Sequence, residues 1–237
     1  VKAIILAGGY GKRLYPLTQE IPKPLIKIKG KPIIQWQIEW LKKYSVDELV
    51  ILAGYLKEKI ISELGSGQKL GVKIGYAVED EPLGTGGAIR NAFHLLDDLF
   101  IVLNGDVITN LNPLRLIEEL RNSDKLCAIA LIPLRVPYGV VELNGKNVKV
   151  FREKPLLKGY YMNAGIYAMR KEIENYLPLK GDVEKTTFTK LAEEGKILGV
   201  LYEEVQWNSI DSIKDIEEVE KILEDDQKAI NVKGNKS

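Results

Sequence analysis

Short β-branched runs that alternate with stretches of helical period constrain this chain more than any other feature. Strands are predicted at residues 2–7, 48–53, 72–78, 99–104 and 126–132, with helices between them at 33–44, 56–64, 86–96 and 113–122. That alternation is the pattern of a largely parallel sheet covered by helices on both faces, an α/β fold. Further along, residues 139–143, 148–151 and 161–169 predict strands with few helices between them, as in an antiparallel extension with a second, small lobe. Helical patterns return at 171–177, 184–194 and 212–225, and the end, NVKGNKS, is polar and expected to fray. No repeat or linker rich in Gly, Pro or Ser divides the chain, which predicts one domain over 1–228 and a polar tail over 229–237.

The 34 Lys and Arg balance 33 Asp and Glu, so the surface carries no nucleic-acid footprint of excess charge. Cys127 is the only cysteine and His94 the only histidine. Disulfide frameworks, cysteine clusters and two-histidine metal motifs are excluded by count, and any metal must sit on oxygen ligands. His94 reads as an ordinary helix residue, and Trp36 and Trp40, at helical spacing, read as core. No apolar stretch approaches the roughly 18 residues of a membrane span, and no signal peptide precedes VKAIILAGG. A soluble, cytoplasmic protein in a reducing compartment is the expectation.

Chemistry concentrates where the first strand runs into Gly8-Gly9-Tyr10-Gly11-Lys12-Arg13-Leu14. Glycines directly after a parallel strand let backbone amides approach a ligand at the carboxyl edge of the sheet. The segment satisfies neither the dinucleotide fingerprint nor the P-loop. Pro16 and the run Pro22-Lys23-Pro24 prevent a long helix here. A glycine-rich turn can be a plain strand-to-helix connection, but Lys12, Arg13 and Lys23 close behind it favour a phosphate site.

These residues carry a resemblance. LAGGYGKRLYPLT followed by PKPLIKIKGKPII resembles the signature of the sugar-1-phosphate nucleotidylyltransferases, in particular the GDP-mannose pyrophosphorylase-like branch. Similar blocks follow in the family's order: EDEPLGTGGAI at 79–89, LNGD at 103–106, GVVEL at 139–143, EKP at 153–155 and NAGIY at 163–167. The resemblance implies a Rossmann-like three-layer fold with a mixed, mostly parallel sheet and a small antiparallel sugar-binding lobe. The implied substrates are an NTP and a sugar 1-phosphate, whose phosphate oxygen attacks the α-phosphorus and releases pyrophosphate. Positioning and charge neutralisation carry such a transfer, so no nucleophilic side chain is needed.

By the same resemblance Leu6, Gly8, Gly9 and Gly11 line the nucleotide, with Glu81 and Gly86 at the base. Arg13 holds the departing pyrophosphate with help from Lys12, and Lys23 binds the reacting phosphate. Asp106 holds Mg2+. On the acceptor side, Glu153 accepts from sugar hydroxyls, Lys154 balances the sugar phosphate, Asn163 reads a hydroxyl, and Gly139 lies nearby. A homodimer is left open. About 25 residues follow Ser212, too few for the β-helix that many family members append, so a bare transferase unit is expected.

One departure stands out. Where the family has Trp-x-Asp-Ile-Gly-Thr, the middle Asp being the second metal ligand, this chain reads Trp207-Asn208-Ser209-Ile210-Asp211-Ser212. If the segment is extended, Ser209 and Asp211 share a face, so Asp211 is the candidate for the missing carboxylate. Ser212 and Asp215 also resemble a capping box, in which case Asp211 merely favours the helix end. Two alternatives to a sugar-phosphate transferase stay open: a cytidylyltransferase for phosphocholine or a polyol phosphate, and a non-catalytic subunit that keeps the fold.

Overall fold

The computed structural model describes the backbone of residues 1–234 and the side chains of residues 1–224. Its centre is a seven-stranded sheet of β1 (Lys2–Ala7), β2 (Glu48–Ala53), β3 (Lys73–Val78), β4 (Leu99–Asn104), β5 (Cys127–Arg135), β6 (Leu156–Arg170) and β7 (Ile197–Leu201), in the order β7-β5-β6-β4-β1-β2-β3. Strand β6 pairs antiparallel with both neighbours, and every other pairing is parallel.

The side-chain period of two sorts each strand into two cores. Ala3, Ile5, Ile101 and Leu103 face one core, with Ile34, Ile38 and Leu41 of α1 (Ile33–Lys43), Ile60 of α2 (Lys57–Leu64) and Leu116 of α4 (Leu114–Arg121). Ile4, Phe100, Val102 and Tyr167 face the other, with Ile89 of α3 (Gly84–Asn91) and Leu191 of α5 (Thr189–Glu193). Burying each such side chain is worth about 1.5–3 kcal/mol, and covering both faces explains why the central strands are apolar throughout. The predicted helix 171–177 is a 3-10 helix, Lys171–Tyr176, and the predicted helix 184–194 opens as a wide π turn before α5. Strand β7 has no counterpart among the predicted elements.

The second lobe is a separate hairpin, Val140–Asn144 with Asn147–Arg152, outside the large sheet. A third small core, of Leu14, Ile26, Ile28, Ile33, Ile210 and Val219, ties the glycine-rich segment to α6 (Ile213–Gly234). That helix passes residue 225, because apolar residues at 219, 223 and 230 keep the helical spacing. The tail predicted from 229 overlaps it, and residues 235–237 lie outside the described residues. Among the described residues no helix is long and apolar enough to cross a membrane. His94 is exposed, whereas Cys127 is fully buried and burial pushes its thiol pKa up.

Candidate active site

The carboxyl ends of β1, β3 and β4 open on a cleft of about 480 Å3. After Ala7 the chain turns through Gly8 and Gly9, and Gly11 takes φ +62°. A Cβ on Gly11 would meet Thr18 Cγ2 at 2.9 Å, while the buried Thr18 hydroxyl donates to the Gly11 carbonyl at 2.8 Å. Three short 3-10 helices follow, Lys12–Leu14, Leu17–Gln19 and Lys23–Leu25, as the prolines require. Gly9 differs from Gly8 and Gly11 in its surroundings: a Cβ there would meet nothing within 4 Å.

Lys23 stands between two carboxylates. Its Nζ lies 2.7 Å from Asp106 Oδ2 and 2.9 Å from Asp211 Oδ1. Arg13 reaches the same Asp211 oxygen at 2.8 Å, and Ser209 donates to Asp211 Oδ2 at 3.0 Å. Burial pushes the Asp211 carboxyl up, but the Lys23 hydrogen bond and charge, with help from Ser209 and Arg13, hold it below its ordinary value. Asp106 sits on a turn whose Gly105 presses on β1, where a Cβ would fall 2.1 Å from the Leu6 carbonyl. Strand pair Val107–Thr109 and Trp207–Ser209 then brings Asp211 beside it. The box at the start of α6 also forms, with Asp215 Oδ2 accepting from the amides of Asp211 and Ser212 at 2.9 and 2.7 Å.

The cleft gathers Leu6, Gly8, Gly9, Gly11, Lys12, Arg13, Lys23, Asp106 and Asp211 along its walls. Glu81 is elsewhere, mostly exposed and paired with Lys180 at 3.1 Å. Gly86 is a packing glycine: its amide donates to the Gly181 carbonyl, and a Cβ would press on Pro178 at 2.8 Å. The acceptor set also lies outside the cleft wall. Glu153 and Lys154 are exposed, Lys154 with φ +44°, and Gly139 packs on Phe151 and Glu153. Asn163 Oδ1 accepts from the Gly165 amide at 2.8 Å, and its Nδ2 donates to the Tyr167 hydroxyl at 3.0 Å.

Glu79, which the sequence reading passed over, faces the cleft opposite the aspartates, among Leu6, Leu52 and Pro82. Gly8 and Gly54 leave it room, since a Cβ on either would stand 2.8 or 2.7 Å from its Oε1. Its Oε2 is buried without a hydrogen-bond partner. Burial raises its pKa, only partly countered by the Leu83 backbone amide and by Lys57. A signal was present: Glu79 directly follows the strand 72–78, where the rule that placed Gly8 and Asp106 at strand ends would also have placed it.

Residues 2–226 match the family model for nucleotidyl transferases. The chain is 36% identical over 199 residues to D-glycero-alpha-D-manno-heptose 1-phosphate guanylyltransferase of Campylobacter jejuni, covering 82% of this chain and 86% of that protein. It is 37% identical to mannose-1-phosphate guanyltransferase of Yarrowia lipolytica, covering 81% of this chain but only 56% of that longer protein. The crystal structure of HddC from Yersinia pseudotuberculosis complexed with GMP-PN superposes with a TM-score of 0.71 at 28% identity, covering 94% of this chain and 99% of that one. The chain belongs to the nucleotidyl transferase family. Within it, the relatives place the chain among the sugar-phosphate nucleotidyltransferases.

Proposed function

We propose that the protein transfers guanylyl groups from GTP to a hexose or heptose 1-phosphate. The observation that carries the base is the Glu79 carboxyl, which lines the cleft at the end of β3 and, among the described residues, is paired with no cation side chain. An ionised carboxylate only accepts hydrogen bonds. Guanine presents it with two adjacent N–H donors, whereas uracil and thymine offer one N–H between carbonyls, and adenine and cytosine pair a donor with an acceptor. The guanylyltransferase relatives and the guanine nucleotide in the HddC crystal support the same choice.

At the other end of the cleft, Arg13 and Lys23 are spent on Asp211 and Asp106. When the substrates enter, both cations exchange carboxylates for phosphate oxygens, Arg13 as a bidentate fork and Lys23 as a point charge. This orients the sugar phosphate oxygen toward the α-phosphorus, in line with the departing pyrophosphate. Asp106 and Asp211 would hold Mg2+. They fit it, because two hard oxygen donors already converge on one positive charge, the Lys23 ammonium, and Mg2+ characteristically takes one or two carboxylates plus phosphate oxygens. Bound there it would neutralise charge that builds on the phosphates. Ser209 then serves as the donor that fixes Asp211.

The test measures pyrophosphate release with Mg2+, each NTP and a panel of sugar 1-phosphates. GTP should lead, and a parent enzyme that prefers UTP or dTTP would refute the base assignment. Glu79→Gln should lower kcat/KM for GTP about 100-fold and raise use of UTP, since an amide offers one donor beside one acceptor.

A further inference from the structure

Gln37, on α1, is 1% exposed and has no part in the reading above. Its Nε2 donates two hydrogen bonds of 2.9 Å, to the carbonyls of Asn104 and Val107. Those carbonyls bracket Gly105-Asp106, the turn that presents the carboxylate at the end of β4. We infer that Gln37 is a positioning residue, a clamp that aims Asp106 at the reacting phosphates.

The clamp is rigid at its base. Ile34, Ile38 and Leu41 on the same helix are fully buried in the core that β1 and β4 share, so the Gln37 backbone cannot shift without repacking that core. It is also matched to its load. One amide nitrogen carries two hydrogens, and both are taken by the turn. The remaining oxygen, Oε1, is buried without a partner. A core position that keeps a half-satisfied amide has forgone the cheaper apolar side chain, which singles out the nitrogen as the reason for a glutamine here. On its other side the turn is held by the Ile210 amide, which donates to the Asp106 carbonyl at 2.9 Å, and by Leu6, against which Gly105 is pressed. Gln37 therefore closes the third side of the turn.

This inference rests on the role given to Asp106, and its test is chosen to separate the two. Gln37→Met keeps length and burial while removing both donors. Trp40→Phe is the control: it sits one turn along α1 and loses an equally buried hydrogen bond, Trp40 Nε1 to the Leu111 carbonyl at 2.9 Å, away from the turn. Both variants should melt earlier than the parent. Only Gln37→Met should lower kcat, about 100-fold for a carboxylate misplaced on the order of 1 Å, with KM for the sugar phosphate kept. Only Gln37→Met should weaken Mn2+ binding, about tenfold, followed by electron paramagnetic resonance with GDP and no acceptor present. Parent-like kcat and Mn2+ affinity in folded Gln37→Met overturn the proposal. Should that variant fail to fold, Gln37→Leu, which also removes both donors, is judged by the same two measurements, and parent-like values again overturn it. A parent that transfers no nucleotidyl group from any NTP sinks the functional reading instead, while the Mn2+ comparison still decides the clamp.

Discussion

Ionising Glu79 costs stability. Its carboxyl pKa is raised by burial, so the folded state binds the proton more tightly than the unfolded chain does. The stability lost by ionising it therefore grows as pH rises from the ordinary carboxylate range through the folded pKa. Glu79→Gln should accordingly melt higher than the parent at neutral pH without nucleotide, and the gain should vanish in acid, where the parent side chain is also neutral. Equal gains across the pH range in thermal melts would attribute the effect to packing. Gly9 gives a complementary prediction. Nothing in the protein opposes a side chain there, so Gly9→Ala should keep stability within about 0.5 kcal/mol, while on the proposed function GTP affinity should fall about tenfold, the added methyl taking space which that function gives to the nucleotide. Unchanged binding in titration calorimetry would sink it. Residues at the ends of predicted strands were legible in the sequence by one rule, which covers Gly8, Gly9 and Asp106. Glu79 obeys the same rule, since it directly follows the strand 72–78, whereas Glu81 stands two residues further on and pairs with Lys180.

Among the elements, the start of α6 forms its cap and also turns the Asp211 side chain into the cleft. Asp211 faces Lys23 and Arg13 through its side chain, while its amide is held by Asp215. Asp211→Asn should lower activity strongly and raise the Mg2+ needed for half-maximal rate, with a melting temperature near the parent's. Asp215→Ala should instead cost about 1 kcal/mol of stability through the lost cap and raise the Mg2+ requirement by a smaller factor. Parent-like Mg2+ dependence in Asp211→Asn would leave the helix-end role alone. The central strands were legible because both their faces are buried and their apolar runs are continuous. Strand β7 was not: its run ILGVL is short, and Gly199 interrupts it, where a Cβ would press on Leu131 at 2.5 Å. Sheet order was equally hidden, because alternation records which face a residue takes and not which strand lies beside it, whereas the antiparallel setting of β6 agrees with the extension expected over 161–169.

Across the whole molecule the two halves of the site are built differently. The cleft is set into the edge of the large sheet, and it gathers the cations, carboxylates and glycines assigned above to the nucleotide. The hairpin beside Gly139 and Glu153 supplies no residue to any of the three buried cores, and its Leu143, Val148 and Phe151 are 62%, 59% and 64% exposed. A core-forming element would have been detectable from apolar periodicity, but a hairpin that buries almost nothing has little in its sequence to fix its pose, so the acceptor residues could be named by resemblance and not brought together. The energetics make this separable. Replacing residues 141–151 by Asn-Gly would leave Val140 and Arg152, which are paired, joined by a two-residue turn of the kind hairpins favour. Since no core is touched, the melting temperature should fall by no more than about 2–4 °C, the equivalent of roughly 1 kcal/mol for a chain of this size, and GTP binding should be kept. Pyrophosphate release with any sugar 1-phosphate should drop to background. A shortened protein that still turns over at the parent rate would show that residues 141–151 take no part in holding the acceptor.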